Sequence, residues 1–162
     1  VLAIVAAKES IAESAFQLLD ETAKKLEIQV LRRDVTTREE IEQVLRETPA
    51  GVVDAIYHVP SSLVGAHIEL LIQKAKQEKL PLIVHEDSMV NKGALVSYGA
   101  DFRLQGRQAA RLVAKILKGT HPADMPIQTP DKLILAVNLS TAKAIGLTLP
   151  LSVLERADRM VE

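Results

Sequence analysis

The sequence predicts an α/β protein, a three-layer arrangement of a parallel sheet with helices on both faces. Three observations carry this expectation. Short apolar or β-branched runs alternate with longer segments of helical period along the whole chain. The runs are nearly continuous in apolar character, as strands covered on both faces are. Two helical segments open with the Ser/Thr-x-x-Glu spacing of a capping box, in which a hydroxyl accepts from the helix's free N–H and the carboxylate reaches back. The 162 residues suit one domain, taken as a single α/β lobe over 1–162.

The elements follow in order. Leu2–Ala6 reads as the first strand. Ile11, Ala15, Leu18, Leu19, Thr22 and Leu26 recur at helical spacing behind it, with Ser10 and Glu13 as the capping box. Residues 28–31 are expected as the second strand. Thr37 and Glu40 open a helix through Leu45, and a turn over 49–51 leads into a third strand, 53–57. Pro60-Ser61-Ser62 begins one helix carrying Leu63, Leu70, Leu71 and Ala75. Leu82–Val84 and 94–97 are the fourth and fifth strands. A long helix runs from Asp101 to Lys118 with Leu112, Val113, Ile116 and Leu117 on one face, which must be buried. Gly119 ends it, and Pro122 and Pro126 prevent its resumption. Residues 133–137 form the last strand, followed by a short helix over 140–145 and a final turn around 153–159.

Composition narrows function. The net charge is −1 with both signs interspersed, which is no electrostatic footprint for nucleic acid or an anionic membrane. Two Phe and two Tyr offer little to stack on single-stranded bases. No Cys is present, so disulfides and thiolate metal sites are excluded. No apolar stretch is long enough to span a bilayer, and Val1 opens directly into an apolar strand pattern without a signal peptide. That start suggests a processed or truncated chain.

In open α/β sheets, ligands sit outside the carboxyl ends of the strands. Four loops are expected there: Ala7-Lys8-Glu9-Ser10, His58-Val59-Pro60-Ser61-Ser62, His85-Glu86-Asp87-Ser88 and Tyr98-Gly99-Ala100-Asp101. Ser10, Ser61 and Ser62 fall where helices begin, where free N–H groups and the dipole favour an anion, or where the serines simply cap. Glu86 and Asp87 would meet a ligand ammonium or hydroxyl, or form a solvated turn or a cap. Tyr57 and Tyr98 would floor a site, although Tyr57 also suits a core. His58 and His85 with Asp87 have no metal-ligand spacing, and a Ser10/His85/Asp87 triad lacks the G-x-S-x-G elbow. The first strand is followed by neither G-x-G-x-x-G nor G-x-x-x-x-G-K-[ST], so dinucleotide and P-loop nucleotide binding lose their main signal. No cofactor and no metal is expected.

From Leu80 a recognisable order of segments appears. Leu80-Pro81-Leu82-Ile83-Val84, Glu86-Asp87-Ser88-Met89-Val90, Gly93-Ala94-Leu95-Val96-Ser97-Tyr98-Gly99 and Gly106-Arg107-Gln108-Ala109-Ala110 come first. Ile116-Leu117-Lys118-Gly119, Pro122-Ala123-Asp124-Met125-Pro126, Val137-Asn138-Leu139, Thr141-Ala142-Lys143-Ala144 and Gly146-Leu147 follow. This order closely resembles the C-terminal half of bacterial ABC-transporter substrate-binding proteins of the tryptophan/tyrosine type. The likeness is strong after Leu80 and looser before it.

The resemblance implies one lobe of a type I periplasmic-binding-protein fold, whose two lobes close on a small solute and deliver it to an ABC permease. It implies a periplasmic or extracytoplasmic location, with lipid anchoring in the full-length protein, and no enzyme. It places solute contacts at Glu9, Ser10, Pro60, Ser61, Ser62, Glu86, Asp87, Ser97 and Tyr98. Amino-acid-binding members commonly carry Asp-Asn where this chain has Ser62-Leu63, which leaves the solute's class open between an amino acid and a related organic acid. The helix over 101–119 is expected to pack on the other lobe, or to pair two copies in a homodimer. An extracytoplasmic sensor domain, and a small α/β enzyme with a Ser or carboxylate centre, are the alternative readings.

Overall fold

The computed structural model describes residues 1–49 and 51–162. Seven strands form one sheet: β1 (Leu2–Ala6), β2 (Leu31–Val35), β3 (Ile56–His58), β4 (Leu82–Val84), β5 (Val96–Ala100), β6 (Leu133–Asn138) and β7 (Arg159–Val161). Among the described residues, eight α-helices connect or flank them: α1 (Ser10–Lys25), α2 (Arg38–Glu47), α3 (Ser62–Ala66), α4 (Ile68–Gln77), α5 (Asp87–Asn91), α6 (Phe102–Leu117), α7 (Leu139–Ile145) and α8 (Leu151–Leu154). The strand order is β2-β1-β3-β4-β5-β6-β7.

β1 to β5 are parallel to one another, with β1 fully buried between β2 and β3. One face of β1 presents Leu2 and Ile4 to a core shared with Ile41 and Leu45 of α2, Val64 of α3, Ile68 and Leu71 of α4, and Met89 and Val90 of α5. The other face presents Ala3 and Val5 to Ala12 and Phe16 of α1. Period-two alternation thus feeds two cores from one strand, the condition for a three-layer architecture.

The sheet departs from the all-parallel expectation at one seam. β5 and β6 are antiparallel, in register from Val96↔Val137 to Ala100↔Leu133. The carboxyl ends of β6 and β7 therefore lie at the opposite edge from those of β1 to β5. The cause is the connection. A parallel return requires a crossover helix that packs on the sheet, and α6 does not do so: Gln108 is its only buried residue among those described.

Several element boundaries also move. The second strand begins at Leu31 rather than at residue 28, because the Ile28 N–H bonds back to the Ala23 carbonyl and closes α1. The third strand is Ile56–His58 rather than 53–57; Val53 and Ala55 are buried ahead of it. The fifth is Val96–Ala100 rather than 94–97. The single helix expected after Pro60 is two, broken at His67 (φ −117, ψ 27). Residues around 153–159 hold the end of α8 and the start of a seventh strand. The turn over 49–51 includes Ala50, which lies outside the described residues. The face of α6 expected to be buried is exposed at Val113, Ile116 and Leu117.

Candidate functional site

The carboxyl ends of β1, β3, β4 and β5 place their loops side by side, and two of these loops are joined directly. The Glu9 carboxylate, from the loop after β1, accepts from the backbone N–H of Ser62 (2.7 Å) and of Leu63 (2.8 Å). The Ser61 hydroxyl accepts from the Val64 N–H at 3.2 Å and caps α3. The free donors at the start of α3 are thus met from within the chain. This corrects the expectation that Ser61 and Ser62 present open N–H groups to a ligand anion: the anion at that position is Glu9. The Leu63 and Ser62 amides hold the Glu9 carboxyl below the usual carboxylate range, so it is ionised at neutral pH.

Ser10 is the first residue of α1 and is exposed, while Glu9 is the N-cap and makes no side-chain cap bond there. The expected Ser10/Glu13 capping box is absent because the partner of Glu13 lies elsewhere. Its carboxylate takes both guanidinium amines of Arg32 on β2, at 3.0 and 2.6 Å. At α2 the hydroxyl half of the expected box forms, with Thr37 accepting from the Glu40 N–H. The carboxylate of Glu40 reaches one residue further back, to the backbone and hydroxyl of Thr36.

Glu86 and Asp87 stand at the start of α5, as N-cap and first residue. They line a polar hollow of about 560 Å³ with Arg103, Lys132 and Arg159. Within it Asp87 accepts from the Arg159 guanidinium of β7 at 2.8 Å, and Glu86 accepts from the Ser88 hydroxyl. Asp87 therefore couples α5 to the last strand. Among the described residues no hydrogen bond links Ser10, His85 and Asp87.

Ser97 and Tyr98 fall on opposite faces of β5. Tyr98 is 58% exposed, whereas the Ser97 hydroxyl is buried with no hydrogen-bond partner. As the chain stands Ser97 lies behind the edge rather than on it. Pro60 is half-buried and turns the chain into α3. Tyr57 packs against α1, where burial raises its hydroxyl pKa.

Sequence reasoning weighed His58 and His85 as metal ligands and His85 as a triad member, and did not foresee that the two imidazoles pair beneath the edge. His58 is fully buried and His85 half-buried, with ring centroids 5.0 Å apart. Both nitrogens of His58 and Nδ1 of His85 are buried without hydrogen-bond partners among the described residues. A polar residue closing an otherwise apolar strand is the signal that would have found His58.

A family model described as ABC transporter substrate binding protein matches residues 1–161. A tyrosine-binding protein of Clostridioides difficile is 28% identical over 129 residues, covering 80% of this chain and 37% of that protein. An uncharacterized protein of Rickettsia prowazekii is 29% identical over 105 residues, covering 61% of this chain and 35% of its own length. Among solved structures, a conserved domain protein of Vibrio cholerae superposes with a TM-score of 0.89 at 30% identity, over 98% of this chain and 53% of the other. An ABC domain from Streptococcus pneumonia in complex with L-Trp gives 0.89 at 23% identity over 99% of this chain and 54% of its own, a likeness of fold. A ligand-free, open substrate binding protein with adhesive properties from Clostridium difficile gives 0.74 at 26% identity, over 99% and 54%. The chain spans about a third of the curated relatives' length and about half of the solved chains. With the family match running from the first strand to the last, the chain belongs to the ABC transporter substrate binding protein family.

Proposed function

We propose that this chain is one lobe of a two-lobed, extracytoplasmic solute-binding protein that delivers a small molecule, an amino acid or related organic acid, to an ABC permease. The observation that carries the reading is the family match over residues 1–161. Two further observations support it. The relatives include a tyrosine-binding protein, and the chain spans about half of the solved chains it superposes on. The exposed apolar face of α6 is consistent with a helix that packs on the other half.

The edge formed by Glu9, Ser10, Pro60, Ser61 and Ser62, with Glu86, Asp87 and Tyr98, is the half-site. Glu9 supplies an ionised carboxylate beside Ser62-Leu63, where Asp-Asn is common in amino-acid-binding members. A fixed carboxylate there would pair with a solute ammonium, and Tyr98 would cover an apolar side chain. None of these residues needs to do covalent chemistry; they bind and orient.

The test is amide-resolved NMR of the chain titrated with L-tyrosine and L-tryptophan. Expected is weak binding, since half the contacts and the closure of the cleft are missing. The shifts should concentrate at residues 9–10, 61–63, 86–87 and 98. Shifts confined to another part of the surface, or no shifts with either amino acid, would overturn the reading.

A further inference from the structure

We propose that the buried His58–His85 pair is an acid-sensitive latch: the α3 edge of the half-site is assembled while both imidazoles are neutral, and proton uptake by either ring loosens it. The proposal rests on the reading of this edge as a half-site only for its consequence in solute binding; the latch itself rests on the packing beneath α3.

The geometry is unusual in three ways. His58 closes β3 at full burial, and its ring lies directly under α3: a Cβ added at Gly65 would come within 3.9 Å of its Cε1 and Nε2. His85 stands 5.0 Å away, centroid to centroid, at the end of the adjacent strand. The Ser97 hydroxyl of β5 is a further buried polar atom without a partner, so four such atoms occur on these three residues. Groups so placed tolerate neutrality and oppose charge.

Among the described residues no neighbouring element supplies an anion that compensates a charge on His58. α3 is Ser-Leu-Val-Gly-Ala and β1 is Leu-Ala-Ile-Val-Ala, neither with a titratable side chain. α5 offers Asp87, which is taken by Arg159. The loop after β1 offers Glu9, taken by two α3 amides. Tyr57 and Tyr98 lie on the strands but are directed to the α1 core and to solvent. Glu86 is the one carboxylate that favours protonation of His85, against a larger opposing effect of burial.

The pH window follows. Burial, and then the charge of His85, push the His58 pKa down from its ordinary 6.5 to about 4. Well above pH 6.5 both rings are neutral whether the chain is folded or not, and the folded edge has its full stability. Between 6.5 and about 4 the opened state takes the proton first, so stability is lost as pH falls. Ser61 and the amides that hold Glu9 belong to the element above the ring, so the half-site opens with it.

The experiment measures hydrogen exchange of the α3 amides in this chain, corrected for intrinsic rates, at about pH 7.5 and about pH 5. Expected is an opening of residues 62–66 that rises at least about tenfold at the lower pH, the effect of one unit of differential proton affinity. In His58→Leu, which removes the fully buried ring, fits the apolar core and leaves only the half-buried His85 to titrate, that rise should shrink to less than about threefold. Should His58→Leu fail to fold, imidazole 15N titration of the wild-type chain serves: His58 must stay neutral to below pH 6. Equal α3 protection at both pH values, or a His58 that titrates near 6.5, would overturn the latch. L-tyrosine titrations at the two pH values separate the two ideas. No binding at either pH defeats the half-site reading alone, whereas binding that is pH-independent beside opened α3 amides defeats the functional consequence of the latch.

Discussion

Glu9 shows how one side chain changes the reading of a site. Its carboxylate joins two loops that are more than fifty positions apart in sequence, by charge-assisted bonds to backbone amides. Because its pKa is lowered on folding, the stabilisation is present at neutral pH and disappears as pH falls through the depressed value. Glu9→Gln should therefore cost about 1 kcal/mol at neutral pH, discounted for its contact with solvent, and progressively less as pH falls through the depressed pKa. Denaturant midpoints across that range check it. Gly99 gives a sharper case. A Cβ there would overlap the His85 carbonyl oxygen, because the loop leaving β4 crosses close over β5. Gly99→Ala should destabilise the chain by about 3 kcal/mol, the upper end for an inserted methyl that meets backbone, read from thermal or urea unfolding. Ser10 and Ser61/Ser62 were legible in the sequence as helix starts. The partner of the Ser62 and Leu63 amides was not, since nothing local in Ala7-Lys8-Glu9 reveals a tertiary acceptor.

At the scale of elements, the helix starts were easier to read than the helix ends. α1 and α4 both finish in left-handed turns without glycine: Glu27 at φ 55 and Lys79 at φ 54. In each, the next residue donates back five positions, Ile28 to Ala23 and Leu80 to Ala75, both at 2.8 Å. These are Schellman endings with an apolar residue just beyond. Ile28 thus belongs to a helix end, which is why a strand read from its hydrophobicity starts too early. β2 itself carries Arg32, Arg33 and Asp34, an edge strand guarded by charge and poor in the apolar signal that marks its neighbours. A left-handed residue other than glycine stores strain. Lys79→Gly should accordingly stabilise the chain by about 0.5–1 kcal/mol, with no change of fold, as measured by the urea midpoint at constant m-value. Leu82–Val84 and Leu2–Ala6, by contrast, were legible to the residue, because central strands buried on both faces leave an unbroken apolar run.

At the scale of the whole molecule, α6 decides both what the sequence concealed and what the chain does alone. The pattern of alternating runs fixes an α/β architecture, but it is blind to strand direction; the antiparallel β5/β6 seam follows from a connection that leaves the sheet. α6 is anchored at its start by Asp101, which accepts from the Arg103 and Leu104 amides, and along one side by Gln108 to Gln128 and Thr129. An Arg111–Asp131 ion pair adds a third tie to the same link. The opposite side leaves Val113 at 53%, Ile116 at 40% and Leu117 at 82% exposed, within a turn and a half of helix. A contiguous apolar stripe of that kind seeks a cover. In the two-lobed protein proposed above, the other half supplies it. In the chain by itself a second copy is the available partner, and a symmetric contact of two α6 stripes closes without leaving an open end. Sedimentation at micromolar concentration should therefore find a dimer. Replacing Val113 and Leu117 together by Glu should leave a folded monomer, because neither side chain contributes to the cores on the sheet. A wild-type monomer would remove self-association from the account and leave the stripe to the other lobe. A dimer unaffected by the double substitution would place the contact elsewhere on the surface.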